Sequence, residues 1–198
     1  MTKSYKFHNY DYQDRWISYW HQIDEVLKLE PKTVLEIGIG NKTVARYLKG
    51  QGLEVKTLDI NENLNPDFTA SVLSMSLDDN LFDLILCAEI LEHLPFEDFE
   101  KALLELKRVA KRYLVLSLPH FGPPLKFSFK IPLLKEIKIA FKISYYPKHK
   151  SGGVHYWEIG KRGYSSRKIR NIIEKHFKIQ KEFIPFENQN HHFYILKK

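Results

Sequence analysis

Residues 33–40 read Thr-Val-Leu-Glu-Ile-Gly-Ile-Gly, and a second apolar run beginning at Leu53 ends in Asp59. No other feature of the 198 residues restricts the fold as strongly. Val34 and Leu35 belong to a short apolar run bounded by turn residues, the mark of a buried strand. Gly38 and Gly40 let the chain turn sharply and bring backbone amides close to a ligand. Asp59 stands about 20 residues beyond the turn, where a second parallel strand sets a carboxylate against ribose hydroxyls. Strand, acid, Gly-x-Gly, helix, strand and terminal acid together describe a nucleotide-type ligand site. The third glycine of a dinucleotide loop would fall near Thr43 and is missing, which argues against a nicotinamide.

The rest of the chain alternates strand and helix patterns, the signature of a parallel sheet built from right-handed crossovers. Residues 1–10 carry no pattern and read as an arm. Trp16, Trp20, Ile23, Val26 and Leu27 recur at helical spacing within 11–29, and Pro31 stops that helix. Strands are expected at 33–37, 54–59, 67–71, 82–87 and 113–118, and helices at 42–50, 96–110 and 166–176. The chain closes with apolar runs at 177–184 and 192–197, whose short link predicts an antiparallel hairpin.

At this point the sequence resembles the class I S-adenosylmethionine-dependent methyltransferases, in particular the small-molecule group. Their first motif is an acid followed by Gly-x-Gly, here Glu36, Gly38 and Gly40. Their second is the acid ending strand two, here Asp59. The resemblance implies a Rossmann-like α/β fold over residues 1–198. It has a mostly parallel seven-stranded sheet, an antiparallel C-terminal hairpin and helices on both faces. It also implies S-adenosylmethionine as cofactor. Glu36 becomes a candidate for the methionine amino group, with a loop hydrogen bond as the plainer role. Asp59 becomes the ribose ligand, with a helix cap as the plainer role, and Ile60 packs on adenine. An Asp that reaches the adenine amino group in many members is replaced by Ser71, with Val72 beside it. Lys42 stands where members carry a third small residue.

The segment from Cys87 to Pro95 resembles the stretch where strand four opens on the reacting centre. Ligands in open parallel sheets sit beyond the carboxyl ends of the strands, which places Ala88 at the cofactor and Glu89 and His93 at the acceptor. His93 has the proton affinity of a general base. Residues 119–164 form an insertion where the family builds substrate recognition. Lysines and large apolar residues mix over 125–143, and helical and alternating templates both fit partly. The cluster His155-Tyr-Trp-Glu158, preceded by Gly152 and Gly153, offers His155 as the preferred base. Tyr156 and Trp157 are expected to shape the pocket and Glu158 to orient a partner. His155 and Glu158 lack a third ligand at suitable spacing, so no metal site is expected.

Formal net charge is +7 with 28% charged residues, which admits nucleic acid, an anionic membrane or an anionic substrate as partner. Two absences weaken the nucleic-acid reading: no Asp/Asn-Pro-Pro-aromatic tetrad follows strand four, and Cys87 is preceded by Leu86 rather than proline. A single cysteine excludes an internal disulfide. No leader or bilayer-spanning run is evident, so a cytoplasmic location is expected. The expected function is methyl transfer to oxygen or nitrogen of a small, sugar- or lipid-linked molecule. The alternatives are an RNA or protein methyltransferase using the basic face, and a non-catalytic binding domain, the latter suggested by Lys42 and Ser71.

Overall fold

The computed structural model describes residues 7–143, 147–149 and 154–198. After a short turn, α1 (Phe7–Tyr10), come α2 (Gln13–Lys28), β1 (Thr33–Ile37), α3 (Thr43–Gly50), β2 (Glu54–Asp59) and the two-residue β3 (Phe68–Thr69). Then follow β4 (Phe82–Ala88), α4 (Phe99–Val109), β5 (Ala110–Pro119), β6 (Pro124–Phe129), β7 (Ile137–Lys142), α5 (Ser166–Glu174), β8 (Lys178–Phe183) and β9 (His191–Lys197).

Seven strands form one sheet in the order β3-β2-β1-β4-β5-β9-β8. The first four pairings are parallel, and β9 runs antiparallel between β5 and β8. The expected terminal hairpin is thus present, with β9 inserted beside β5 rather than left at the edge. β1 places its reversal point beside β4, and the crevice at that reversal is where open α/β sheets bind ligands.

Alternation along the strands fills both faces. Leu35, Ile37, Ile85, Leu114 and Leu116 pack against α4 and α5 through Leu103, Leu106, Ile169 and Ile173. Val34, Leu84, Leu86 and Val115 pack on the other side against Val26 of α2 and Val44 and Leu48 of α3. Helix α2 turns Tyr19, Gln22 and Val26 inward, so Trp16 and Trp20 of the expected stripe stay exposed. The helix expected from residue 96 begins at Phe99, because residues 96–98 form a 3-10 turn behind Pro95.

The ambiguous stretch 125–143 is an antiparallel hairpin, β6 with β7, standing apart from the main sheet. Its alternation is inverted. Leu125, Phe127, Phe129, Ile137, Ile139 and Phe141 share one face and are 41–62% exposed. The lysine face lies on the body instead: Lys138 pairs with Glu187 at 2.8 Å, and Lys126 and Lys138 both stand over the Phe186 ring. Among the described residues no helix is long and apolar enough to cross a membrane.

Candidate active site

The loop after β1 has the geometry that its glycines require. Gly38 has φ +76°, and a Cβ there would lie 1.9 Å from Ile90 Cδ1. A Cβ on Gly40 would meet the Tyr10 hydroxyl at 2.8 Å, so the N-terminal turn closes over the loop. Lys42 also has positive φ, 65°, at the start of α3, and its Nζ donates to the Asn65 carbonyl at 2.9 Å. The side chain therefore leaves the loop free, at a local backbone cost of about 1–3 kcal/mol.

Asp59 ties two loops together. Its Oδ2 accepts the Ile39 amide at 3.0 Å and its Oδ1 accepts the Asn61 amide at 2.9 Å. The turn-capping role is therefore real, but a carboxylate has about four acceptor positions. Each oxygen retains one for a hydroxyl. Gly38, Gly40, Asp59, Ile60, Ser71 and Val72 border one cavity of about 540 Å³. Ile60 is 76% exposed on its rim. Ser71 Oγ accepts the Leu73 amide at 3.2 Å and holds that wall in a tight turn. Glu89, Ile90, His93 and Val154 close the opposite side of the same cavity.

A narrower cavity shares Gly38, Gly40 and Glu89 with the first and ends on Glu36 and Ala88. Glu36 is buried, and its Oε2 has no hydrogen-bond partner. Burial pushes the carboxyl up to about 8, against the Ala45 amide and the Lys49 charge. A buried acceptor without a donor is costly. The ammonium of a bound methionine moiety answers that need, and the glycine cradle leaves room for its backbone-sized approach. The residues present fit S-adenosylmethionine.

The opposite wall of the cavity is built at the end of β4. Glu89 is held at φ +55°, an uncommon conformation for a non-glycine residue and one that clusters at functional sites. Its Oε1 accepts from Ser117 Oγ at 2.9 Å, and Oε2 lies 3.6 Å from His191 Nε2. Glu92 is completely buried. Burial first, then the charges of Glu89 and Glu158, push its carboxyl well above the usual range. The His93 and His155 rings meet edge to face, 5.0 Å apart between centroids. His155 Nδ1 lies 3.1 Å from Glu158 Oε1, and that partner holds Glu158 below the ordinary range.

Two expectations need correction here. Trp157 does not shape the pocket: it is fully buried against Phe96, Phe99 and Tyr164, with ring centroids 5.0–6.1 Å away. Sequence could not separate a pocket indole from a core indole in the same cluster. The absence of a third ligand beside His155 and Glu158 also fails in space, because Glu92 and His93 fold against His155. Tyr156 keeps an exposed ring while its amide donates to the Glu92 carbonyl at 2.8 Å. Gly152 and Gly153 lie outside the described residues. Tyr10, at both clefts, carried no motif that would have singled it out, whereas Ile90 and Glu92 lie within the Cys87–Pro95 stretch, where Glu92 could be read as a helix start or a cleft wall.

No curated protein sequence matches the chain. Residues 35–115 match the family model of a methyltransferase domain. Among solved structures, the N-methyltransferase NodS of Bradyrhizobium japonicum, in complex with S-adenosyl-L-homocysteine, superposes with a TM-score of 0.66 at 12% identity. It covers 100% of this chain and 93% of its own. Magnesium protoporphyrin IX methyltransferase of Synechocystis, with bound S-adenosylhomocysteine, gives 0.62 at 16%, over 94% and 86%. The 1,6-didemethyltoxoflavin-N1-methyltransferase of Burkholderia thailandensis gives 0.61 at 13%, over 98% and 84%. These likenesses establish the fold, and the acceptors named for them differ widely. The chain is thus similar, over residues 35–115, to a methyltransferase domain, and it shares its fold with structures that hold S-adenosylhomocysteine.

Proposed function

We propose that this chain, as a single domain, methylates an oxygen or nitrogen on a small, sugar- or lipid-linked molecule presented at an anionic membrane surface. The observation that carries this reading is one cavity bordered by both halves of the chemistry. Gly38, Gly40, Asp59, Ile60, Ser71 and Val72 form the cofactor side of this reading, and the adjoining narrower cavity, which shares Gly38 and Gly40, reaches Glu36 and Ala88. Glu89 and His93 stand across from them on the acceptor side. Glu158 orients His155, and Tyr156 is an exposed candidate contact beside it.

A bound sulfonium supplies an already activated methyl group. The protein's work is to align the acceptor in line with it, keep water out and accept a proton. Gly38 and the Tyr10 turn fix one reactant. Glu89 and His93 wall in the other, with the His93–His155 pair as the proton-handling centre.

The membrane part of the proposal rests on the inverted hairpin. An apolar face turned outward, with Ile131, Leu133 and Leu134 exposed near its tip and Lys130 and Lys135 among them, suits an anionic bilayer. Lysines near such a surface contribute about 1 kcal/mol each. The hairpin base is joined to the segment carrying His155: the Phe121 amide donates to Ile159 at 2.8 Å and the Ile159 amide to Pro119 at 3.0 Å. A membrane-docked hairpin thus presents its substrate next to the reacting end.

In flotation assays the full chain is expected to bind phosphatidylglycerol vesicles and to leave phosphatidylcholine vesicles largely free. Replacing Phe127, Phe129 and Leu133 together with serine should lower vesicle binding more than tenfold while leaving S-adenosylmethionine affinity unchanged. Equal binding by the triple variant would remove the membrane from the account. Tight binding to RNA, with a steep salt dependence, would favour a nucleic-acid acceptor instead.

A further inference from the structure

We propose that Glu92, His93 and His155 form a site for one divalent first-row transition-metal ion at the acceptor side of the cleft. The inference rests on the methyl-transfer reading for its purpose, but not for its geometry.

Three potential ligand atoms converge. His93 Nε2 and His155 Nε2 each lie 3.9 Å from Glu92 Oε1, and the three ligand atoms fall within 4.8 Å of one another. Bonds of about 2.0–2.2 Å to a common ion hold donors roughly 3.0–4.2 Å apart, so the two 3.9 Å pairs already fall in that range, while the 4.8 Å outer limit asks the donors to draw together by roughly 0.5–1 Å. At 3.9 Å the same pairs are too far apart to hydrogen-bond directly. Something between them fits better than direct contact does.

Two independent observations point the same way. The first is Glu92, which is 0% exposed and whose two carboxylate oxygens both lack a hydrogen-bond partner. Leaving such a group buried without a partner is costly, and native structures do so for a reason. The second is how the histidines are held. His93 Nδ1 lies 3.0 Å from the Val154 carbonyl, and His155 Nδ1 lies 3.1 Å from Glu158 Oε1. Both partners are acceptors, so both neutral rings carry their proton on Nδ1. Each Nε2 lone pair is then left facing Glu92. Backbone carbonyl and carboxylate are the outer partners that metal-bound histidines use to fix their tautomer.

Two imidazoles and one carboxylate favour zinc, manganese, iron or cobalt over magnesium or calcium, which prefer oxygen shells. Three protein ligands leave coordination positions open, the mark of a site that also binds substrate. His93 borders the cofactor cavity, so those positions face the acceptor. Glu89 lines the same cavity, and its charge already acts on Glu92.

The ion selects an acceptor with an oxygen nucleophile, best one with a second oxygen beside it. A bound hydroxyl loses its proton to solvent more readily. The resulting oxyanion forms the new O–C bond as the C–S bond breaks, and the electron pair returns to sulfur. The histidines then serve as ligands, and the ion takes over the task of a base.

The test uses the full chain, stripped with a chelator and titrated calorimetrically with zinc, manganese and cobalt(II) chloride; cobalt binding is also followed by its visible absorption. S-adenosylmethionine affinity is measured on the same samples. One ion per chain is expected. Glu158→Gln, which touches no ion, should weaken it roughly 10- to 100-fold. His93→Asn and His155→Asn should each weaken it more, with cofactor affinity retained. Absence of binding, or binding indifferent to both histidine substitutions, overturns the site. A protein that binds S-adenosylmethionine but no metal rejects this inference and leaves the methyltransferase reading intact.

Discussion

Replacing Asp59 with alanine is expected to lower the affinity for S-adenosylmethionine at least about 100-fold. The carboxylate already accepts one amide on each oxygen, from Ile39 and Asn61, and this fixes it at the carboxyl end of β2. Its remaining acceptor positions face the cavity that Gly38, Ile60 and Ser71 also border. Two charge-assisted bonds to a ribose contribute on the order of 1.5–3 kcal/mol each. Losing both corresponds to about 100-fold or more in the dissociation constant. The alanine also releases the Ile39 and Asn61 amides, so the melting temperature will fall and calorimetry must be run well below it. Asp59→Asn, which keeps one acceptor oxygen, should lie between. Unchanged affinity in a folded Asp59→Ala protein would reject the ribose assignment.

The Glu36→Gln variant should be more stable than the parent at alkaline pH and yet bind the cofactor more weakly. Burial raises the carboxyl from its ordinary 4.5 to about 8 in the folded protein. A raised acid holds its proton longer folded than unfolded. Its contribution to stability is therefore complete below about 4.5 and is lost as pH rises to about 8. Each pH unit across that window removes up to about 1.4 kcal/mol, so the total is on the order of a few kcal/mol. Glutamine has no proton to lose and removes the slope. Denaturant titrations from pH 5 to 9 should show the gap between variant and parent widening up to about pH 8 and then levelling. A gap independent of pH would contradict the placement of Glu36. The cofactor's ammonium favours the ionised carboxylate, so below pH 8 cofactor binding should expel a proton in the parent only. Calorimetry in buffers of different ionisation enthalpy reads that proton directly.

The sheet was largely legible because its strands announce themselves twice, by apolar runs and by what ends them. Val34–Ile37 ends on glycine and the β2 run on Asp59, and both ends of that signal are local. Helix α4 was legible as the helix expected over 96–110, although the 3-10 turn behind Pro95 delays its start to Phe99. The β6–β7 hairpin was not, since its apolar residues alternate toward solvent and periodicity alone cannot say which face is buried. Trp157 misled for a related reason: burial depends on Phe96, Phe99 and Tyr164, which reach it from elsewhere in the chain.

The site divides along the same line. Glu36, Gly38, Gly40 and Asp59 lie at the ends of adjacent strands, so spacing in sequence stands in for spacing in space. The Glu92–His93–His155 cluster joins the end of β4 to a residue inside the 119–164 insertion, and contacts remote in sequence bring them together: Tyr156 to Glu92, His93 to Val154, and the paired backbone around Pro119, His120 and Ile159. Lys42, which stands where the resembling family carries a third small residue, left open in sequence whether it crowds the loop or points to solvent. In space it reaches Asn65 and leaves the cradle open.

Titration of the full chain with S-adenosylmethionine and with S-adenosylhomocysteine tests the central claim most directly. The cleft bounded by Gly38, Gly40, Asp59 and Glu36 predicts one saturable site per chain for each ligand, lost or severely weakened in Asp59→Ala. No heat of binding and no thermal stabilisation by either ligand, in a chain shown to be folded, would contradict it.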